Sequence, residues 1–392
     1  MIILKKLAAV ILAVILAFGA VVSASAQADS PAKLQFNEDG NFRIMQISDI
    51  QDGTVLTPAT KNFIKDVVLD AKPDLVVLTG DNISAGSATI GIEAIDLQLV
   101  KNGINNFMSV FEEIGVPVAI VFGNHDAEEI VTKEAQMEFY MAYSNCIAND
   151  DNADLYGCGT YNVPIYSSSD SEKIAYNLWM IDSNMYDETN GGYDYVHEDQ
   201  INWYINKSNE LKAQNGGVPV PSMMFQHIIV PEIYDALVEI PKVSDISVEH
   251  NGKHYVLNPA TTSQGELNEA PCPSNTNSGQ FEAVLNQGDV VAMHFGHDHK
   301  NTFLTTYKGV DLVNSPTAGF GSYGDHNRGV RIIDLKEGTR DYETSLITYL
   351  DFYAENDYML AQYDLYANES SVGEVIVAFF ETIFAGIALL FK

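Results

Sequence analysis

Five short apolar runs in this chain stop abruptly at clusters of Asp, Asn, Gln and His. "NFRIMQISDIQ" ends on Asp49 and Gln51, "PDLVVLTGDN" on Asp81 and Asn82, and "VPVAIVFGNHD" on Asn124, His125 and Asp126. "PSMMFQH" ends on His227, and "VVAMHFGHDH" on His297, Asp298 and His299. The first three runs are separated by "ATKNFIKDVVLDA" and "IEAIDLQLVKNGINNFMSVFEEI", both with helical spacing. Apolar strands alternating with helices predict βαβ units and a parallel sheet, hence an α/β fold. Ligands in such sheets gather at the carboxyl ends of the strands. One histidine after one strand is an ordinary loop residue. Five polar strand ends in one sheet would converge on a single cleft.

The rest of the chain is less regular. Residues 141–220 are more polar, with strand-like runs at "GTYNVPIYS" and "AYNLWMIDS" and a helix expected at "HEDQINWYINKSNELKAQ". Residues 240–280 read as loop-rich, with "NEAPCPSNTNSG" as a surface excursion. "KGVDLVNSPTAG" and "RGVRIIDL" add strands near the end of the fold. No internal repeat or low-complexity segment is evident.

The two ends have their own character. Lys5 and Lys6 precede an apolar run from Leu7 to Val22, and Ala24-Ser25-Ala26 closes it. This pattern predicts a secretory signal over 1–26, in preference to a membrane anchor. Residues 27–40 are expected to be an exposed leader, 41–350 the catalytic domain and 351–373 a C-terminal extension. Residues 374–392 form an apolar tail in which Glu381 is embedded. Three readings compete for it: a membrane anchor, a helix docked on the body or on a partner, and a processed anchoring signal. Its length is at the short limit for a span, and membrane association is favoured.

The formal net charge is −32. Such a surface repels polyanions and argues against nucleic-acid binding. An enzyme acting on phosphate would need local positive charge here, which bound metal ions supply. Cys146, Cys158 and Cys272 have no CxxC spacing, which disfavours thiol redox chemistry and a zinc–thiolate site. Cys146 and Cys158 flank a polar stretch that a disulfide could close. Neither a G-x-S-x-G elbow nor a P-loop occurs. His197, His250, His254 and His326 lie in polar stretches and read as solvated. His294 reads as a core histidine, with a supporting role behind a metal ligand left open, Trp179 and Trp203 as core or interface aromatics, and Glu232 as a helix cap in preference to a residue facing the substrate.

Carboxylates and imidazoles together suit iron, zinc or manganese, and one carboxylate can bridge two such ions. The ordered set D-x-(H), GDN, GNHD, H, GHDH resembles the calcineurin-like metallophosphoesterases over residues 43 to 300. "FQHIIVPE" and "TAGFGSYGD" are similar to the purple-acid-phosphatase-like subgroup, whose yeast members dephosphorylate a signalling protein. The resemblance implies two packed mixed β-sheets flanked by helices. It implies Asp49 and His299 on a first metal, Asp81 bridging, and Asn124, His227 and His297 on a second. It places His125 over the phosphate as proton donor to the leaving group, with Asp126 orienting it. It also implies hydrolysis of a phosphate ester by direct attack of hydroxide formed at the two metals, without a covalent enzyme intermediate.

Gln51 departs from the pattern. The family commonly carries histidine there, as a first-metal ligand. Purple acid phosphatases proper instead use a tyrosine three residues after the bridging aspartate, where this chain has Ser84. A neutral amide oxygen is a harder, weaker ligand than imidazole. The expectation is a binuclear centre whose first metal is held more weakly, or is a harder ion such as manganese, magnesium or calcium. The competing expectation is an envelope protein that binds metal or phosphate and has lost turnover. The chain is expected to be exported, to the cell surface, periplasm or medium, with a phosphate ester as its substrate.

Overall fold

The computed structural model describes residues 33–84, 91–128 and 131–367. Along the chain its elements are β1 (Asn41–Ile47), α1 (Pro58–Ala71), β2 (Leu75–Thr79), α2 (Glu93–Ile114), β3 (Val118–Val121), α3 (Lys133–Met141), β4 (Tyr161–Tyr166), β5 (Ile174–Met180), α4 (Glu198–Gln214), β6 (Ser222–Phe225), α5 (Ile233–Ala236) and β7 (Val238–Ile240). There follow β8 (Val248–His250), β9 (Lys253–Val256), β10 (Thr262–Gln264), α6 (Gln280–Gln287), β11 (Val290–Phe295), β12 (Leu304–Tyr307), β13 (Val310–Asn314), β14 (Gly329–Lys336), β15 (Tyr342–Thr348), α7 (Tyr349–Phe352) and α8 (Asp357–Ala367).

The expected βαβ units are present. β1, β2 and β3 are parallel neighbours, and α1 and α2 make the crossovers. α1 begins where the Thr57 hydroxyl accepts the amide of Thr60, with proline in its first turn, and α2 stops at Gly115 in the left-handed conformation. β14 and β15 extend this sheet antiparallel, giving the order β15-β14-β1-β2-β3. A second sheet has the order β10-β12-β13-β11-β6-β5-β4, with β5, β6, β11 and β13 parallel.

The two sheets share one core. Leu178, Met180, Met223, Phe225 and Ala292 of the second sheet join the apolar cluster that contains Ile44, Ile47, Val76 and Ile120 of the first. The alternate residues Trp179, Met224, Met293 and Phe295 point the other way, onto α4 and α6 with Tyr204, Phe281 and Val284. That period of two buries both faces and explains why the runs read as continuously apolar. A polar seam crosses the shared core. His294 Nδ1 lies 3.1 Å from Gln46 Oε1, and Arg331 Nε donates to Ser315 Oγ, which in turn donates to Gln46 Oε1. His294 is thus a core histidine. The fold is α/β, two packed mixed sheets flanked by helices.

Several expectations are corrected. Residues 33–40 are not an exposed leader throughout: Leu34 and Phe36 are buried, and Phe36 N donates to Tyr166 O beside β4. Alternating apolar residues next to an open strand edge pair with it. The segment 240–280 holds β8 and β9, which with β7 just before them form a small third sheet of order β7-β9-β8, and β10 at the edge of the large one. The extension after 351 packs on the body through buried Met359, with Tyr353 Oη donating to Asp66 and Tyr363 Oη to the Asp325 carbonyl. Cys146 and Cys158 are buried free thiols rather than a disulfide, and Cys272 is free and exposed. The signal and apolar-tail segments, 1–26 and 374–392, lie outside the described residues. Among the described residues no helix is long and apolar enough to cross a membrane.

Candidate metal centre

The polar strand ends come from both sheets rather than one, three from β1, β2 and β3 and two from β6 and β11, and they meet because their loops are stitched together. Asp49 N donates to Gly80 O, Gln51 N to Asp81 O, Gly296 N to His227 O and Ala318 N to Ser48 O. Asp49 follows β1, Asp81 follows β2, Asn124 and His125 follow β3, His227 follows β6, and His297 and His299 follow β11. Two ligand groups result: Asp81, His227 and His297 in one, and Asp49, Asp81 and His299 in the other. Within each group the ligand atoms lie within 4.8 Å of one another, and every residue is buried. Asp81 belongs to both. His299 Nε2 is 3.3 Å from Asp49 Oδ1, and His227 Nε2 is 3.1 Å from Asp81 Oδ2.

The imidazoles are aimed by their far nitrogens. His227 Nδ1 lies 2.9 Å from the Thr79 carbonyl and His299 Nδ1 2.9 Å from the Tyr323 carbonyl. A carbonyl only accepts, so each Nδ1 carries the proton and each Nε2 faces the carboxylates. Asp49 Oδ1, Gln51 Oε1, Asn124 Oδ1 and His227 Nε2 are buried without a hydrogen-bond partner among the described residues. A buried polar atom left unpaired costs about 1–3 kcal/mol. Gln51 Oε1 and Asn124 Oδ1 are left with no contact of this kind, whereas Asp49 Oδ1 and His227 Nε2 keep the ion-pair contacts given above; the four lie at one point and, with the imidazole deprotonated, make a donor set that fits bound cations. Gln51 and Asn124 therefore sit at the centre with the carboxylates and imidazoles. Gln51 presents its amide Nε2 to Asp81 Oδ2 at 2.9 Å, and Asn124 Nδ2 donates to Tyr186 Oη at 3.4 Å.

The backbone accommodates this crowding at a cost. Asp49 (φ 51), Gln51 (φ 43), Asp81 (φ 48) and His297 (φ 70) are all left-handed. Each costs about 1–2 kcal/mol for an L-residue, and such strain collects at functional sites. Two glycines have a sharper task than permitting turns. A Cβ on Gly123 would overlap Asp81, and one on Gly296 would overlap Ser48 and Asp49.

Burial opposes the charge on Asp49 and Asp81, yet the imidazoles of His299 and His227 hold both carboxyls below the usual range. Burial likewise opposes the charge on His227, but Asp81 and Asp49 push it up to about 10, and Asp49 raises His299 in the same way. His297 is pushed down to about 3, by burial and by the charge of His227. Without cations, protonation in the cluster is favoured at His227 and His299 and disfavoured at His297.

The role expected for Asp126 is corrected. Its Oδ1 accepts Asn82 N at 2.9 Å and Ile83 N at 3.1 Å, and its Oδ2 accepts Gly123 N at 2.8 Å. It ties the GDN loop to the GNHD loop and does not hold the His125 ring. Asn82 serves the same tie, its Nδ2 donating to Val121 O. The carboxylate at His125 Nδ1 is Glu128, 2.7 Å away. The turn explains the difference. His125–Ala127 is a 3-10 helix, in which residues three apart eclipse one another and adjacent ones diverge. The HDxE spacing, with Glu128 three residues after His125, carries this signal in the sequence. Of three aromatic neighbours, Tyr323 lies in the TAGFGSYGD stretch, whereas Tyr186 and Tyr193 left no such mark, because they lie in irregular loops. Tyr193 stands edge-on to His297 at 4.3 Å, Tyr323 stacks on His299 at 4.1 Å, and Tyr186 stacks on Tyr193.

Residues 42–301 match a family model described as calcineurin-like phosphoesterase. The chain is similar to "Probable inactive purple acid phosphatase 14" of Arabidopsis thaliana, 29% identical over 339 residues, covering 78% of this chain and 77% of the relative. It is also similar to "Phosphatase DCR2" of Saccharomyces cerevisiae, 27% identical over 296 residues, covering 69% of this chain and 46% of the relative. Among solved structures it is similar to a dimetal phosphatase from Danio rerio, 14% identical, with a TM-score of 0.45, covering 79% of this chain and 99% of that one.

Proposed function

The chain belongs to the calcineurin-like phosphoesterase family, and on that premise we propose that it is an exported, metal-dependent phosphatase that hydrolyses phosphate esters at a binuclear centre. The observation that carries the reading is Asp81, shared by two buried ligand groups whose orphaned donor atoms call for cations. Asp49, Asp81 and His299, with Gln51 beside them, would hold one ion, and Asp81, Asn124, His227 and His297 the other. Iron, zinc and manganese all suit this donor set. When bound, the cations supply the charge that activates water and offsets the phosphoryl oxygens. The chain's own contribution is placement. Thr79 and Tyr323 fix the two imidazoles, and Asp126 fixes the loops. His125 stands beside the carboxylate shared by the two groups, its amide donating to Asp81 Oδ1 at 2.8 Å. Its half-exposed ring is the group available to protonate the leaving oxygen. Export rests on the N-terminal signal pattern.

Phosphate release from an aryl phosphate, measured on the full-length chain after incubation with each of the three metals, tests the reading. Metal-dependent release that is lost in Asp81→Asn is expected. No release with any metal would overturn it.

One observation favours a second reading. The Gln51 amide occupies a hydrogen bond to Asp81 where the family commonly places an imidazole. The similar plant protein carries "probable inactive" in its name. On this reading the cleft binds metal or phosphate without turnover. It predicts metal uptake with no hydrolysis, and hydrolysis gained in Gln51→His.

A further inference from the structure

The ring of His125 is clamped from a direction that the motif does not announce. His125 Nδ1 lies 2.7 Å from Glu128 Oε2, and the other oxygen of that carboxylate, Oε1, accepts the hydroxyl of Tyr186. The same tyrosine oxygen accepts Asn124 Nδ2 at 3.4 Å, so the chain His125–Glu128–Tyr186 returns to a residue of the metal centre. Tyr186 is itself braced. It pairs as an isolated bridge with Tyr193, their rings stack at 5.8 Å, and Tyr193 stands edge-on to His297.

We propose that Glu128 is a positioning residue for the phosphoesterase reaction, acting with Tyr186 to fix the His125 ring so that Nε2 serves the leaving group. The inference rests on the function proposed above. Asp126 has no oxygen free for this task, because the amides of Gly123, Asn82 and Ile83 occupy both. The His125 and Glu128 side chains are 40% and 30% exposed, so the pair adds little to stability as an ion pair. Its value lies in orientation. A half-exposed imidazole with free χ rotation spends much of its time facing away from the substrate. A carboxylate anchored at its second oxygen by Tyr186 holds both the ring plane and the proton on Nδ1. A donor that must give a proton to the departing oxygen gains most from this when that oxygen is a poor leaving group.

The test uses the full-length zinc-loaded chain as wild type, Glu128→Gln, Tyr186→Phe and His125→Asn. Two esters are compared: 4-nitrophenyl phosphate, whose leaving group departs without a proton, and an alkyl phosphate, whose leaving group needs one. In Glu128→Gln, kcat for the alkyl ester is expected to fall roughly 10–100-fold, with KM and metal content unchanged and the nitrophenyl ester nearly unaffected. Tyr186→Phe should give a smaller loss of the same pattern. Equal losses on both esters, or no loss, would overturn the inference. A readout independent of turnover is the imidazole N–H resonance of His125, identified by its disappearance in His125→Asn. It should shift or vanish in Glu128→Gln, and an unchanged resonance would refute the positioning contact by itself. Wild-type inactivity on both esters would instead overturn the proposed function, and with it any catalytic purpose of the contact.

Discussion

The side-chain amide of Gln51 donates from Nε2 to Oδ2 of Asp81 at 2.9 Å, while its own Oε1 is buried and has no hydrogen-bond partner among the described residues. The carboxylate it touches is the one shared by both ligand groups. Turned over, the same amide would offer its oxygen at that place. Gln51 thus either steadies Asp81 by a hydrogen bond or completes a cation's coordination. Both uses keep it at the centre.

The position itself can be tested by restoring an imidazole. Gln51→His should tighten zinc or manganese binding by roughly 10–100-fold in a competition titration, the range over which ligand-supporting groups act. Unchanged affinity would place residue 51 outside the coordination set.

The two ligand groups differ in what each variant should remove. Asp81→Asn withdraws a ligand from both, whereas His299→Ala touches only the group with Asp49 and His227→Ala only the group with His297. Elemental analysis of purified variants should find Asp81→Asn emptied of metal and the histidine variants retaining part of it. Equal content in all three would contradict the shared role of Asp81.

Without metal, the centre should make stability depend on pH in a definite direction. The folded pKa of His227 is raised from 6.5 to about 10 by Asp81 and Asp49, against the effect of burial. Its contribution is fully present below the ordinary value of 6.5 and is lost as pH rises through about 10. Asp49 and Asp81 are held low, so their contribution is present above the ordinary carboxylate range and is lost in acid. The Tm of the metal-free chain should therefore fall between neutral pH and pH 10, and less steeply in His227→Asn. A zinc-loaded sample should resist that fall, because the cation replaces the proton. An alkaline decline of equal slope in wild type and His227→Asn would contradict this assignment.

Two glycines separate crowding from backbone strain. Gly123→Ala places a methyl group into Asp81 and should cost about 1–3 kcal/mol and lower metal content. Gly288→Ala, at the end of α6 with φ +67 and open space around it, should cost about 1–2 kcal/mol of left-handed strain and leave metal content unchanged. Urea denaturation with metal analysis distinguishes them. Identical metal content in the two variants would mean that Gly123 is not needed for the approach of Asp81.

Much of this centre was legible in the chain because the physics is local. β2 and β3 are short and buried on both faces, so Leu75–Thr79 and Val118–Val121 announce themselves, and each ends on its ligand. α1 and α2 carry clear apolar periodicity and end signals at Lys72 and Gly115. Other features depended on partners far away in sequence. Leu34 and Phe36 look like leader residues until the edge of β4 is there to receive them. β7, β8 and β9 are three- and four-residue strands with exposed polar faces, too short for periodicity to reveal. The choice between Asp126 and Glu128 turned on whether the chain after Asn124 forms a 3-10 turn. Tyr186, Tyr193 and Tyr323 reach the centre through irregular loops, where side-chain direction follows from tertiary packing alone.

The most direct test of the account is the metal content of the purified full-length chain, determined by elemental analysis after incubation with manganese, iron and zinc and removal of free ions. Hydrolysis of an aryl phosphate should be recorded on the same sample. Roughly two cations per chain together with turnover is the expected result, since a clamp on a phosphoryl group needs a pair. A chain that retains no metal, or that retains a pair and releases no phosphate from any ester, would contradict it.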